Sequence, residues 1–199
     1  MKPKIIPSLM GKSQKEINAL FKKLPGKHLH LDVADGKAVP NTSLWFPFKL
    51  STKFTYTAHL MVKNPLTWIK KHGHKVQGII FNVEGVNIAK VIPKIKGKVG
   101  LALNPETKVS AIKEFLNDLD YVLILTVHPG FYGAKYLKGP LQKIKQIRKI
   151  NPKIKIIIDG GMNPKTVQDA KNADIIVSGS FIAKSDNPKK ALRELRKQL

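Results

Sequence analysis

The chain of 199 residues contains no cysteine, which excludes a disulfide framework and removes thiolate from the candidate nucleophiles and metal ligands. Stability must then come from a buried core, and a chain of this length can form one as a single domain over residues 1–199. Long apolar runs are also missing. The longest, around Tyr121 to Val127, is far too short to span a bilayer. At the N-terminus, MKPKIIPSLMGK places basic residues before a short apolar run, but Pro7 interrupts it and no small-residue cleavage site follows. A soluble, cytoplasmic protein with no membrane partner is expected, and the glycosylation-like triplet Asn41-Thr42-Ser43 carries no weight without export.

Acidic residues are scarce: 13 stand against 36 basic ones, for a formal charge of +23. Such a field is the footprint of a nucleic-acid binder. Arginine is scarce too, however. Only Arg148, Arg193 and Arg196 occur, whereas phosphate-backbone and base readers commonly use arginine forks. The lysines are spread over nearly every expected helix and loop, which favours solvated helix faces over a dedicated RNA surface. A positive field would still help to capture a phosphorylated small molecule.

Eight short β-rich runs alternate with helical stretches: Ile5 to Leu9, His28 to Val33, Lys53 to His59, Gln77 to Phe81, Lys98 to Leu103, Tyr121 to Thr126, Ile154 to Asp159 and Ile175 to Ser178. Between them lie residues at helical spacing, such as Leu141, Ile144 and Ile147, or Ala191, Leu192 and Leu195. The pattern predicts a compact α/β fold, a (β/α)₈ TIM barrel near the lower size limit. Its second βα unit is cut down, since Val39 to Lys49 shows no clear helix.

In such barrels chemistry sits at the C-terminal ends of the strands. His30, Asp32, His59 and Asp159 all fall there, and His30 and Asp32, two apart on one strand, point to one face. Two imidazoles and two carboxylates suggest one metal site, and two members could also serve as acid and base. Other residues attract blander readings. His28 is expected in a lower core layer. His72-Gly73-His74 is expected to end a helix, with Gly73 near its cap. Trp45, Phe46 and Phe48 are read as core before they are read as a substrate wall or a homo-oligomer surface.

At this point the chain resembles the ribulose-phosphate 3-epimerase family. The likeness runs from Ile6 to about Pro188 through Pro7-Ser8, His30-Leu31-Asp32-Val33-Ala34-Asp35-Gly36, Val39-Pro40-Asn41, His59-Leu60-Met61-Val62 with Pro65, Leu103-Asn104-Pro105 with Thr107, Val127-His128-Pro129-Gly130-Phe131, Asp159-Gly160-Gly161 and Val177-Ser178-Gly179-Ser180. The resemblance implies metal-dependent epimerisation of D-ribulose 5-phosphate to D-xylulose 5-phosphate at C3. It implies His30, Asp32, His59 and Asp159 as metal ligands, with Asp32 as proton acceptor and Asp159 as donor. It further implies Ser8, His59, Met61, Gly130, Phe131, Tyr132, Gly133, Gly160, Gly161, Gly179 and Ser180 around the substrate and its phosphate. Asp35 belongs to the motif as a turn residue or a support behind the ligands.

The implied chemistry is physically coherent. Moving a weakly acidic proton from one face of a carbon to the other calls for two bases on opposite sides, and a cation stabilises the enediolate between the two transfers. Nitrogen and oxygen ligands suit Zn, Fe, Mn or Co. Glycines after the last two strands allow close backbone approach to a phosphate, where this fold often binds one. Some positions depart from the family pattern. Ala34 and Leu125 stand where methionine is common, reducing the sulfur wall to Met61; Tyr132 makes the sixth loop bulkier; Asn82 replaces a frequent histidine before Glu84; and His128 occupies a variable position near the mouth. Two rivals follow, a 3-epimerase of a six-carbon ketose phosphate such as allulose 6-phosphate and a non-catalytic basic barrel that binds RNA. Related decarboxylases and aldolases usually carry Asp-x-Lys-x-x-Asp, whose lysine Asp32-Val33-Ala34-Asp35 lacks.

Overall fold

The computed structural model describes residues 2–130 and 134–199. Eight parallel strands close on themselves: β1 (Lys4–Leu9), β2 (His28–Asp35), β4 (Thr55–Met61), β5 (Gly78–Asn82), β6 (Lys98–Leu103), β7 (Tyr121–Leu125), β8 (Lys155–Asp159) and β9 (Ile175–Ser178). β1 pairs in parallel with both β2 and β9, which completes the barrel. The expected βα alternation is therefore present, with strand limits shifted by one or two residues at several ends.

The expected gap in the second unit is present as well. Between β2 and β4 the chain forms a two-residue antiparallel strand, β3 (Thr42–Ser43), against Ala34 and Asp35, and no helix. The outer layer consists mainly of α1 (Gln14–Lys23), α2 (Pro65–His72), α4 (Gln142–Ile150) and α6 (Pro188–Lys197), with single turns α3 (Ile88–Val91) and α5 (Ser180–Ala183) and 3₁₀ segments at Val109–Phe115 and Val167–Ala170. Four of these helices start at side-chain caps: Ser13 accepts from Glu16 N–H, Asn64 from Leu66 N–H, Asn87 from Lys90 N–H, and Asn187 from Lys190 N–H. Pro65 and Pro188 occupy first-turn positions where no N–H is needed. No helix among the described residues is long and apolar enough to cross a membrane.

Period-2 alternation divides the packing. Leu29, Leu31 and Val33 of β2, like Tyr56, Ala58 and Leu60 of β4, join the core between barrel and helices. Ile80, Ala102, Leu123, Leu125, Ile157 and Val177 fill the interior. That interior is tight: a Cβ at Gly100 would lie 2.8 Å from Tyr121 Cβ and 2.9 Å from Ile80 Cγ1, so only glycine fits between the strands there.

Candidate active site and metal centre

Above the apolar plug, the inward positions of β2, β4 and β8 become ionisable. β2 supplies His30 and Asp32, and its register with β4 sets Asp32 beside His59. Asp159 ends β8, which β9 and β1 separate from β2, so it approaches from across the barrel. The four side chains meet in a closed ring. His30 Nε2 lies 3.6 Å from Asp32 Oδ1 and 3.8 Å from Asp159 Oδ2. His59 Nδ1 lies 3.7 Å from each of the same two oxygens. Imidazole and carboxylate alternate, which places the two carboxylates at opposite corners.

These separations are too long for hydrogen bonds and fit donors facing a common ion. Ligand bonds of roughly 2.0–2.2 Å in a tetrahedral shell put donors about 3.4 Å apart, and one ligand atom from each residue lies within 4.8 Å of all the others. Among the described residues, buried His30 Nε2, Asp32 Oδ1 and His59 Nδ1 have no hydrogen-bond partner. Leaving such atoms unsatisfied costs about 1–3 kcal/mol each, whereas a cation at the centre would engage all three. The donor set thus fits a divalent metal ion of the type that accepts mixed nitrogen and oxygen ligands.

Charge reinforces this reading. Burial alone would lower His59, yet the carboxylates of Asp159 and Asp32 outweigh it and raise the imidazole to about 9. For His30, burial prevails over the same carboxylates and the pKa falls. The carboxylate pair therefore draws positive charge toward the centre even without a metal.

Asp32 and Asp159 line the floor of a cavity at the C-terminal mouth of the barrel. Ser8, Met61, Gly130, Gly160, Gly161, Gly179 and Ser180 line the same cavity, while His59 is fully buried and outside its lining. Phe131, Tyr132 and Gly133 lie outside the described residues. Met10 and Met162 also face the cavity, so its sulfur content exceeds the single Met61 expected. Leu125 lines it too, and Ala34 packs with Val39 and Met61. The loop after β8 is wound tightly: Gly160 has φ 114° and Gly161 φ 69°, and a Cβ on Gly160 would lie 2.6 Å from Val127 Cγ2. Its anchoring hydrogen bonds run to carbonyls, from Thr126 Oγ1 to Gly160 O at 2.6 Å and from Thr166 Oγ1 to Gly161 O at 2.7 Å.

The blander expectations hold with two changes. His28 is bound by Thr55 and Thr57, away from the ring of ligands. Asp35 accepts from the N–H groups of Lys37, Ala38 and Lys63, tying the loop after β2 to that after β4. Gly73 does cap α2, but in the right-handed region at φ −55°, because the chain continues into a 3₁₀ turn. Phe48 is core, whereas Trp45 is exposed. His128 pairs with Glu106 at 3.6 Å, both largely in solvent. Asn82 was legible only as a departure; it contacts His59 directly, at 2.7 Å from its Nε2.

Fold and donor set together define a (β/α)₈-barrel protein with a candidate metal centre at the catalytic end of the barrel. The family model described as "Ribulose-phosphate 3 epimerase family" matches residues 1–183. This chain belongs to the ribulose-phosphate 3-epimerase family, and so to a family of isomerases. It is 32% identical to "Ribulose-phosphate 3-epimerase, cytoplasmic isoform" of Oryza sativa subsp. japonica, over 98% of this chain and 94% of the relative. It is 33% identical to the ribulose-phosphate 3-epimerase of Bacillus subtilis, over 84% and 85%. Among solved structures it resembles 3-hexulose-6-phosphate synthase from Salmonella typhimurium, with TM-score 0.66 and 13% identity over 100% of this chain and 98% of that one. At that identity the likeness concerns the fold alone.

Proposed function

We propose that the chain interconverts D-ribulose 5-phosphate and D-xylulose 5-phosphate by two-base proton transfer at C3. The observation that carries this reading is the pair of carboxylates, Asp32 and Asp159, held at opposite corners of the histidine-aspartate ring on a cavity floor. A base on each side of a planar enediolate is what inversion at one carbon requires. Asp32 takes the C3 proton from one face, and Asp159 delivers a proton to the other; in the reverse reaction the roles exchange. His30, Asp32, His59 and Asp159 would hold a divalent ion, with Zn, Fe, Mn and Co all suited to the donors. Such an ion supplies positive charge against the oxygens of the enediolate.

The remaining cavity residues position the substrate. Gly160, Gly161, Gly179 and Ser180 form the loops after β8 and β9, and their backbone N–H groups serve the phosphate. Ser8 and Met61 flank the sugar. The methionine side chains turn an apolar, polarizable surface toward the reacting carbon and exclude water. A decarboxylase reading lacks its lysine: position 34 carries buried Ala34, packed with the apolar side chains of Val39 and Met61.

Incubating the metal-loaded protein with ribulose 5-phosphate in D₂O tests the proposal. Xylulose 5-phosphate carrying deuterium at C3 is expected, with turnover above that of allulose 6-phosphate. Absence of both product and label would overturn the assignment.

A further inference from the structure

The ring of His59 is held from behind by a chain of amides. His59 Nε2 lies 2.7 Å from Asn82 Oδ1, and Asn82 Nδ2 donates to Asn104 Oδ1 at 2.8 Å. Asn82 ends β5 opposite Ala102 of β6, two residues before Asn104, so alternation turns both amides toward the interior. Asn104 is anchored through its own main chain. Its N–H donates to Glu84 Oε1 at 3.0 Å, an oxygen that also accepts from Thr107 Oγ1. Its carbonyl accepts from Lys143 Nζ at 2.7 Å, and the same amine reaches Pro105 O at 2.8 Å. None of these side chains lines the substrate cavity.

An amide oxygen accepts and cannot donate. With the Asn82 NH₂ committed to Asn104, its oxygen faces His59, so Nε2 carries the hydrogen and the Nδ1 lone pair is left for the centre. We infer that the Asn82–Asn104 amide pair, clamped by Glu84 and Lys143, is a positioning relay that holds His59 as an Nδ1 ligand and sets the affinity of the centre for its divalent ion. This inference rests on the reading of His30, Asp32, His59 and Asp159 as metal ligands. An amide orients the imidazole as a carboxylate would, without a third negative charge beside the two aspartates. It also differs from the histidine that the family resemblance leads one to expect at position 82. A histidine has two tautomers and a titrating proton, whereas asparagine presents one fixed acceptor.

The test measures Zn²⁺ affinity of the full chain by competition with a chromophoric chelator, alongside thermal melting of the metal-free proteins. Asn82→Leu removes the acceptor and should weaken Zn²⁺ binding about 10- to 100-fold, the usual effect of losing an outer partner of a ligating histidine. Asn82→Asp keeps an acceptor and should retain far more of the affinity than Asn82→Leu. Asn104→Leu should weaken binding less, and should add nothing in the Asn82→Leu background. ¹⁵N NMR of the Zn²⁺-loaded protein should show His59 protonated at Nε2. Wild-type affinity in a folded Asn82→Leu variant, or a His59 proton on Nδ1 in the loaded protein, overturns the relay. Should Asn82→Leu not fold, Asn104→Leu with unchanged affinity overturns it equally. A wild-type chain that binds no Zn²⁺ at all overturns the metal-centre reading together with the relay, a result distinct from wild type and variant binding equally well.

Discussion

At the residue scale, the site is a problem of like charges. Two carboxylates and two imidazoles share one small space, and three of their polar atoms are buried without a hydrogen bond. A purely structural arrangement would have paired those atoms directly, since buried polar groups in folded proteins almost always find partners. Here geometry has been kept open at a cost in stability, which is how functional sites often differ from cores. A variant that removes one charge separates the two demands. Asp159→Asn or Asp32→Asn should lower epimerase turnover by about 10²- to 10⁴-fold, the usual share of a positioned acid or base. The metal-free protein should still fold, with only a modest change in melting temperature, because relief of the repulsion between the two carboxylates offsets loss of the negative charge that raises His59. Steady-state kinetics beside thermal melts decide it: turnover within tenfold of wild type, or inactivity accompanied by unfolding, would sink the assigned roles.

At the element scale, local patterns predict strands better than helices. Each barrel strand declares itself as a β-rich run of four to eight residues, and His30, Asp32, His59 and Asp159 are legible because they place ionisable groups in the C-terminal parts of otherwise apolar or β-branched runs. The outer segments are less legible, since Val109–Phe115 and Val167–Ala170 are too short for a helical period and settle as 3₁₀ turns against the barrel. The Asn82–Asn104 contact depends on the register between two neighbouring strands, which no local pattern reveals. Lys143 is hidden for a similar reason: it sits on a lysine-rich helix, yet its amine folds back to two loop carbonyls. The end of α2 offers a test at this scale. His72 stacks on Phe48 at 4.5 Å and its Nδ1 lies 3.1 Å from Lys75 Nζ. Burial, and then Lys75, His74 and Lys71, lower it to about 4 from 6.5. The folded state thus favours neutral His72. Its contribution is complete above about pH 6.5 and is lost as pH falls toward 4. Urea midpoints should decline over that window, and less steeply in His72→Leu than in the parent. The difference between the two is the measure, because His28, lowered to about 4 chiefly by burial, adds to the same decline. Equal slopes would refute a neutral His72 in the fold.

At the scale of the whole molecule, the net charge of +23 acts on folding and on substrate capture with opposite signs. Few acids offset the lysines, and the described ion pairs absorb little of the excess: Lys138 with Asp169 at 2.7 Å, and Arg148 and Lys155 with the single carboxylate of Asp174. Two further carboxylates, Asp32 and Asp159, are directed inward to the centre. The surface is thus left with unneutralised like charge, which opposes compaction. The same field concentrates a dianionic sugar phosphate near the barrel mouth and can raise encounter rates by about 10- to 10³-fold. Screening weakens both effects, because the Debye length shrinks from about 30 Å at 0.01 M salt to about 3 Å at 1 M. Raising sodium chloride over that range should therefore increase the melting temperature while lowering kcat/KM for ribulose 5-phosphate several-fold. The loss should appear mainly in KM, since Asp32 and Asp159, the two proposed bases, sit inside the barrel mouth, where bulk ions screen them less than the surface lysines. An equally viscous sucrose series separates screening from slowed diffusion. If kcat/KM held constant while the melting temperature rose, the lysines would bear on folding alone, and substrate capture would have to be ascribed to the glycine loops at the mouth.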